Sequence, residues 1–291
     1  MPELPETETI ARDLDGALRG AVVRSVQVVR TDVLRGDARL RPRRPAAALA
    51  VDVAAALTGA NVQRVSRRAK SVVLAFGSVC AGGQVEGLCR LVVTPRFTGA
   101  LLIDGTPDDA YTCLRLDLAD GRTLRYHDVR RLGTIALLAP LAFEAWESAL
   151  GPEPLDPALT VERFSGIIRG SKRAVKSILM DQRRLAGVGN IYANEALWRA
   201  RLRPARRGAR VTHAECNALF DALRSVLAES IALRGTTFRD YRDAYGGRGG
   251  FAAKLQAYGR AGAPCQRCGT ALSATHALDG RQTIWCRACQ P

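Results

Sequence analysis

The chain has 291 residues, 47% of them hydrophobic, enough for one large or two ordinary domains with real cores. Its 43 Lys and Arg outnumber 28 Asp and Glu, a formal net charge of +15 that points to a polyanionic partner, nucleic acid before anionic membrane. No apolar run approaches the ~18–20 residues of a membrane span, and Glu3, Glu6 and Glu8 crowd where a secretory leader needs basic residues, so the expected setting is a reducing cytosol with no membrane association.

Taken in chain order, Ile10, Leu14 and Leu18 at helical spacing predict a helix over 7–18, stopped at Gly20. An alternating strand over 21–30 follows, then a basic, proline-punctuated surface loop over 35–45 and an Ala-rich helix over 46–57 that ends at Gly59. From Val62 to Leu138 the pattern is β throughout, with strands expected at 71–76, 88–93, 100–103, 111–118, 123–126 and 134–138. Asp120-Gly121 is read as a hairpin turn between two of them. Antiparallel strands in this number suggest a sandwich or flattened barrel. Beyond a proline-rich linker at 150–155 the periodicity turns helical, over 161–168, 173–181, 191–199 and 213–233. A long glycine-bearing loop then runs over 235–251, of the kind that in compact domains is functional or disordered. The expected division is 1–148 as a β-sandwich domain, 149–260 as a helical domain and 261–291 as a terminal cysteine module. There is no internal repeat.

Four patterns carry chemistry. The first is the start, Pro2-Glu3: once Met1 is removed, Pro2 ends the chain in a secondary amine. An α-amino group titrates at about pH 7.7–8.0, so an unprotonated nucleophile is available near neutrality. Attack on a sugar C1′ gives an iminium ion that stays charged and acts as an electron sink, and Glu3 is the adjacent carboxyl for acid–base work. An exposed leader ahead of the first helix is the alternative.

The second pattern is Cys265-x2-Cys268 with Cys286-x2-Cys289, a spacing that fits one closed, tetrahedral, structural Zn²⁺ in a small hairpin. An iron–sulfur cluster or disulfides are the alternatives, and Arg281 between the knuckles either offers a planar fork suited to a phosphate or is a solvated arginine on the hairpin. The third is 181–195, two helices joined by a glycine turn. Asn190 is read as an N-cap, and free amides there suit an anion. Arg199, Arg201, Arg203, Arg206, Arg207 and Arg210 follow directly, with a solvated face as the default reading. The fourth is the pair of strand ends Arg67-Arg68-Ala69-Lys70 and 126–133, which line a groove or else serve as edge charges.

In this order the patterns resemble the formamidopyrimidine-DNA glycosylase/endonuclease VIII family, over nearly the whole chain. The resemblance implies an α+β fold: an antiparallel β-sandwich flanked by helices, then a helical domain with a helix–two-turn–helix motif and a four-cysteine zinc-finger hairpin. It implies a monomeric bacterial enzyme acting on double-stranded DNA that contains oxidised bases or abasic sites. Pro2 would be the nucleophile and Glu3 the acid–base. Lys70, Asn190 and Arg281 would grip phosphates near the lesion, Lys176 would face the DNA, and Arg130 would insert opposite the flipped base. The implied chemistry is base excision followed by β,δ-elimination, with the damaged base extruded and side chains filling the gap. The loop over 235–251 favours the oxidised-purine branch, where a comparable loop caps the flipped base.

Three departures stand out. A phosphate-side histidine of the family becomes Thr94, its intercalating methionine becomes Phe97, and its intercalating phenylalanine becomes Leu132. Phe97 and Leu132 are both able to fill a void, while Pro95 and Arg96 bear on the path of their strand, and the 80–89 hairpin is longer than usual. These changes bear on lesion range more than on chemistry. The alternatives are an endonuclease VIII-like enzyme for oxidised pyrimidines and a non-catalytic sensor of damaged or abasic DNA.

Overall fold

A computed structural model describes residues 2–36, 45–79, 85–103 and 110–291. Met1, Cys80 and most of the loop expected at 35–45 lie outside the described residues. The fold is α+β, with antiparallel sheets in one unit and helices with a cysteine hairpin in the other. Unit one comprises 1–148 together with 234–249; unit two comprises 149–233 together with 250–291.

In unit one, helix α1 (Leu4–Leu18) begins three residues earlier than its apolar spacing suggests. Glu3 and Glu6 form a reciprocal capping box, Glu6 Oε2 accepting the Glu3 N–H at 2.8 Å, and Pro5 falls in the first turn, where no N–H is needed. Strand β1 (Val23–Val28) and helix α2 (Ala46–Leu57) follow. Then come β2 (Asn61–Arg68), β3 (Ser71–Val79), β4 (Val85–Thr94), β5 (Gly99–Ile103), β6 (Thr112–Leu118), β7 (Thr123–Asp128) and β8 (Thr134–Leu138). They pair into two antiparallel four-stranded sheets, ordered β1-β6-β7-β5 and β2-β3-β4-β8. The Asp120-Gly121 turn joins β6 to β7, with Gly121 at φ +91°.

Side-chain alternation explains how the second sheet is covered on both faces. Val72, Leu74 and Phe76 of β3 enter the main core with α1 and residues of the other sheet. Val73 and Val92 face the opposite way and meet Phe143 of α3 (Pro140–Ser148), a helix that the sequence pattern did not reveal.

Unit two holds α4 (Val161–Arg169), α5 (Val175–Leu179), α6 (Asn190–Arg199) and α7 (His213–Ala232). The helix expected over 173–181 is thus a five-residue turn of helix. Thr212 and Glu215 cap α7 with a second capping box. The last strands, β9 (Ser273–Thr275) and β10 (Thr283–Trp285), form an antiparallel hairpin. Among the described residues no helix is long and apolar enough to cross a membrane.

Candidate nucleic-acid interface and metal centre

The first part of the site is the buried start of α1. Pro2 is buried and Glu3 is 2% exposed, which places the start in the protein rather than in a free leader. Glu6, 1% exposed, is the residue the sequence reading missed here. Its Oε2 takes the Glu3 N–H, and its Oε1 takes the Thr236 N–H at 2.7 Å. The Glu-x-x-Glu spacing carried the first of these bonds; nothing local carried the second.

Residues 234–249 belong with this unit because several contacts bind them to α1. Arg234 Nη2 reaches Asp13 at 2.6 Å and Asp243 at 2.7 Å, and these carboxylates hold the guanidinium's pKa above its ordinary value despite partial burial. Within the segment, the Gly249 N–H donates to Thr237 Oγ1 at 2.9 Å, and Thr237 Oγ1 in turn donates to the Tyr241 carbonyl at 3.2 Å. A Cβ on Gly249 would sit 2.2 Å from the Gly235 carbonyl oxygen, so this closure requires glycine. Burial, then the Glu6 charge, pushes the Tyr241 phenol up and keeps it neutral.

The Arg67–Lys70 turn joins β2 to β3, with Ala69 at φ +54°. The Arg67 side chain, 8% exposed, is engaged with Glu8 at 2.8 Å and with the Ala69 carbonyl at 3.0 Å, so it holds the turn. Lys70 at the tip is half-buried.

A second turn cluster is built on Asp128, fully buried at the end of β7. Its carboxylate accepts from the Thr98 hydroxyl (2.6 Å), the Tyr126 hydroxyl (3.0 Å), the Arg130 N–H (3.2 Å) and the Gly133 N–H (2.8 Å). These bonds lock 94–99 against 128–133. Strand β4 ends at Thr94, whose hydroxyl pairs with Ser71 at 2.7 Å, and the chain turns through Pro95 before β5. Phe97 and Leu132 then stand exposed, at 43% and 40%. The Arg130 guanidinium lies 4.8 Å from the centre of the Phe97 ring, a cation–π contact. Phe97 has φ +47°, a left-handed conformation that costs an aromatic residue free energy.

In unit two, Arg281, Lys176 and Asn190 are organised around the β9–β10 hairpin. Gly189, not Asn190, is the N-cap of α6, and Asn190 is its first residue. The Asn190 amide donates to the Gln282 carbonyl at 3.1 Å, while buried Asn194 accepts the Ile284 N–H at 2.8 Å. Lys176 differs from its expected place facing DNA. It is wholly buried, its ammonium 2.7 Å from Thr283 Oγ1 and 3.5 Å from Asp279, so its charge supports the hairpin that carries Arg281. Arg281 is exposed beside a concavity also lined by Arg173, Ser177 and Asp181. A buried clamp was also missed: the Glu195 carboxylate accepts the N–H groups of Gln256, Ala257 and Tyr258 at 2.8–2.9 Å. Burial still raises its pKa against the opposing effect of those bonds.

The ligand atoms of Cys265, Cys268, Cys286 and Cys289 all lie within 4.8 Å of one another. A tetrahedral metal with bonds of about 2.3 Å requires sulfurs about 3.8 Å apart, and the Cys268–Cys286 pair, at 3.5 Å, is close to that. The Cys268 thiol is brought down to about 6, first by the Thr270 hydroxyl and backbone N–H. Four thiols so placed can hold one metal ion with no position left open.

Residues 1–135 match the formamidopyrimidine-DNA glycosylase N-terminal domain, and residues 150–242 match the formamidopyrimidine-DNA glycosylase H2TH domain. Over 307 aligned positions the chain is 40% identical to a formamidopyrimidine-DNA glycosylase of Thermomicrobium roseum, covering 100% of this chain and 99% of the relative. It is similar to the solved MutM (Fpg) protein of Thermus thermophilus, with 38% identity, a TM-score of 0.79 and coverage of 99% and 98%. It is also similar to the Lactococcus lactis Fpg in complex with abasic-site DNA, with 27% identity, a TM-score of 0.84 and coverage of 99% of each chain.

Proposed function

The chain belongs to the formamidopyrimidine-DNA glycosylase family, and we infer that it excises oxidised purines from duplex DNA and then cleaves the abasic strand. It is a DNA glycosylase and AP lyase of base-excision repair. Support for the assignment of chemistry comes above all from the buried Pro2–Glu3 start, held by the Glu6 carboxylate.

With Met1 removed, the neutral Pro2 nitrogen attacks C1′ of the damaged nucleotide, the C1′–base bond breaks, and the departing base takes up the proton that the amine loses. Glu3 supplies the proton to the sugar ring oxygen as the ring opens, giving an iminium at C1′. The iminium acidifies C2′; loss of that proton expels the 3′ phosphate. A second elimination expels the 5′ phosphate and leaves phosphates on both ends of a one-nucleotide gap. Water then hydrolyses the sugar fragment from Pro2.

Lys70, Asn190 and Arg281 are assigned to the phosphates around the lesion, where charge-assisted bonds fix the strand. Phe97, Leu132 and Arg130 are assigned to the space the extruded base leaves, as apolar wedges and an inserted cation. Thr94, already bonded to Ser71, lies at the base of that turn. Lys176 acts one step back, through the hairpin. The loop over 235–249 is assigned to covering the flipped base, with Glu6 as the positioning residue at its root. Zn²⁺ is the ion we assign to the four cysteines, where it would close the hairpin and take no part in the reaction. The enzyme is placed in the bacterial cytoplasm as a monomer.

Borohydride trapping tests this reading. The wild-type enzyme should form a covalent complex with an abasic duplex, and Pro2→Gly should not. A Pro2→Gly enzyme that traps and cuts at the parent rate would overturn the nucleophile, and a wild-type protein that never traps would favour a non-catalytic sensor.

A further inference from the structure

The arginine-rich stretch after α6 is not used by the chemistry above. Arg203, Arg206, Arg207 and Arg210 line a cavity of about 620 Å³ in unit two, and no Asp or Glu lines it. Arg206 is paired with Glu215 and donates to the main-chain oxygen of Pro291, which also lines the cavity, at 3.2 Å. Arg203, Arg207 and Arg210 are exposed, with no side-chain hydrogen bond or ion pair among the described residues.

These cations stand on a rigid base. Leu202 and Val211 are each 1% exposed, and Pro204 and Gly208 are buried between the arginines. The Val175 N–H donates to the Arg206 carbonyl at 2.8 Å, and the Gly208 N–H to the Arg173 carbonyl at 2.9 Å. The Ala209 N–H donates to the Ser171 carbonyl at 2.8 Å. A Cβ on Gly208 would lie 2.2 Å from the Ile168 carbonyl oxygen, so the close approach depends on glycine. The stretch 171–175 thereby connects this cavity with a second concavity: Ala174 pairs with Arg207 and also lines the concavity that holds Arg173, Asp181, Asp279 and Arg281.

Like charges held close together repel, and a polyanion relieves that cost. Planar guanidinium forks match phosphate oxygens. Duplex DNA carries one negative charge per about 1.7 Å of axis, so a duplex gripped near Arg281 continues as a dense row of phosphates. We propose that Arg203, Arg207 and Arg210 form a second phosphate-binding site that takes the backbone of the duplex flanking the lesion. The proposal rests on the reading of duplex DNA as substrate. Its ligand is the phosphodiester backbone, without regard to sequence, and its effect is to lengthen the footprint and steepen the salt dependence.

The test compares wild type with an Arg203→Gln/Arg207→Gln/Arg210→Gln triple variant on two duplexes, about 12 and about 30 base pairs, each with a central abasic analogue. Each phosphate contact contributes about 0.9 to the slope of log K against log salt. On the long duplex the triple variant should lose about 2–3 from that slope. On the short duplex, slope and trapping yield should match wild type. Arg207→Gln alone should lose about 1 on the long duplex, and Lys at the three positions should restore the slope. An unchanged slope on the long duplex overturns the proposal, as does an equal loss on both lengths, which would place these arginines at the lesion. Loss of single-stranded RNA binding with an intact DNA slope would also overturn it. Wild-type protein that binds neither duplex would instead overturn the glycosylase reading itself.

Discussion

Glu6 and Thr236, 230 residues apart in sequence, are joined by a 2.7 Å bond from the Thr236 N–H to the Glu6 carboxylate, whose other oxygen holds the Glu3 N–H. The residue next to the proposed nucleophile and the root of the glycine-bearing loop therefore share one buried acceptor.

Glu6→Gln keeps the shape but turns one acceptor into an N–H₂ that faces an N–H donor. Leaving a buried donor unsatisfied costs about 1–3 kcal/mol. The expected outcome is a lower melting temperature together with slower single-turnover excision, while equilibrium binding to an abasic duplex changes little. Unaltered excision in a folded variant would show that the shared acceptor is dispensable to the chemistry.

Phe97 should separate stability from function. Its φ of +47° suits glycine, so Phe97→Gly relieves strain worth about 1 kcal/mol while removing the exposed ring and its contact with Arg130. Denaturation should show an equal or more stable protein, and abasic-duplex affinity should fall about tenfold. A variant that binds as tightly as the parent would remove Phe97 from the wedge.

The Arg67–Glu8 pair predicts an acid limb in the stability curve. Partial burial works to raise the Glu8 pKa, but Arg67, and after it Arg12, outweigh that effect and hold it below its usual value. A carboxyl depressed in the folded state stabilises the protein above its unfolded value, about 4.3, and the gain is lost as pH falls through the folded value. Arg67→Met should thus lower stability at pH 7 and flatten the loss below about pH 4.3. Parallel wild-type and variant curves would contradict this.

Metal removal should act on DNA binding rather than directly on Pro2. Chelation with verified metal loss is expected to loosen the hairpin bearing Arg281, freeing the Lys176 ammonium from Thr283. Affinity for an abasic duplex should drop at least tenfold, with unit-one stability preserved. Undiminished affinity after metal loss would argue that Arg281 does not depend on the cysteine centre.

Much of this was legible in local sequence because the physics is local. Two residues between cysteines, alternation along β3 and the Asp-Gly turn each act within a few positions, and each reappears in the structure. The α1 start was legible too, since Glu3 and Glu6 have capping-box spacing, but apolar periodicity alone set the helix late. What stayed hidden depends on distant partners. Lys176 reads as a surface cation until Thr283 and Asp279, more than a hundred residues on, enclose it. Asp128 reads as a turn residue until Thr98 and Tyr126 reveal a shared acceptor. The chemistry of Pro2, Glu3 and Arg281 was legible in the residues themselves, while the phosphate role of Lys70 came from the family pattern.

Residues 234–249 also bear on how the protein is made. Unit one is split, its last segment coming after α7, so a ribosome releases the sandwich strands long before the Thr236 donor and the Arg234 clamp exist. A nascent chain of the first 148 residues has the Pro2–Glu3 start but not the partner that Glu6 holds. A fragment truncated before residue 234 therefore lacks both the Thr236 donor to Glu6 and the Arg234 clamp on α1.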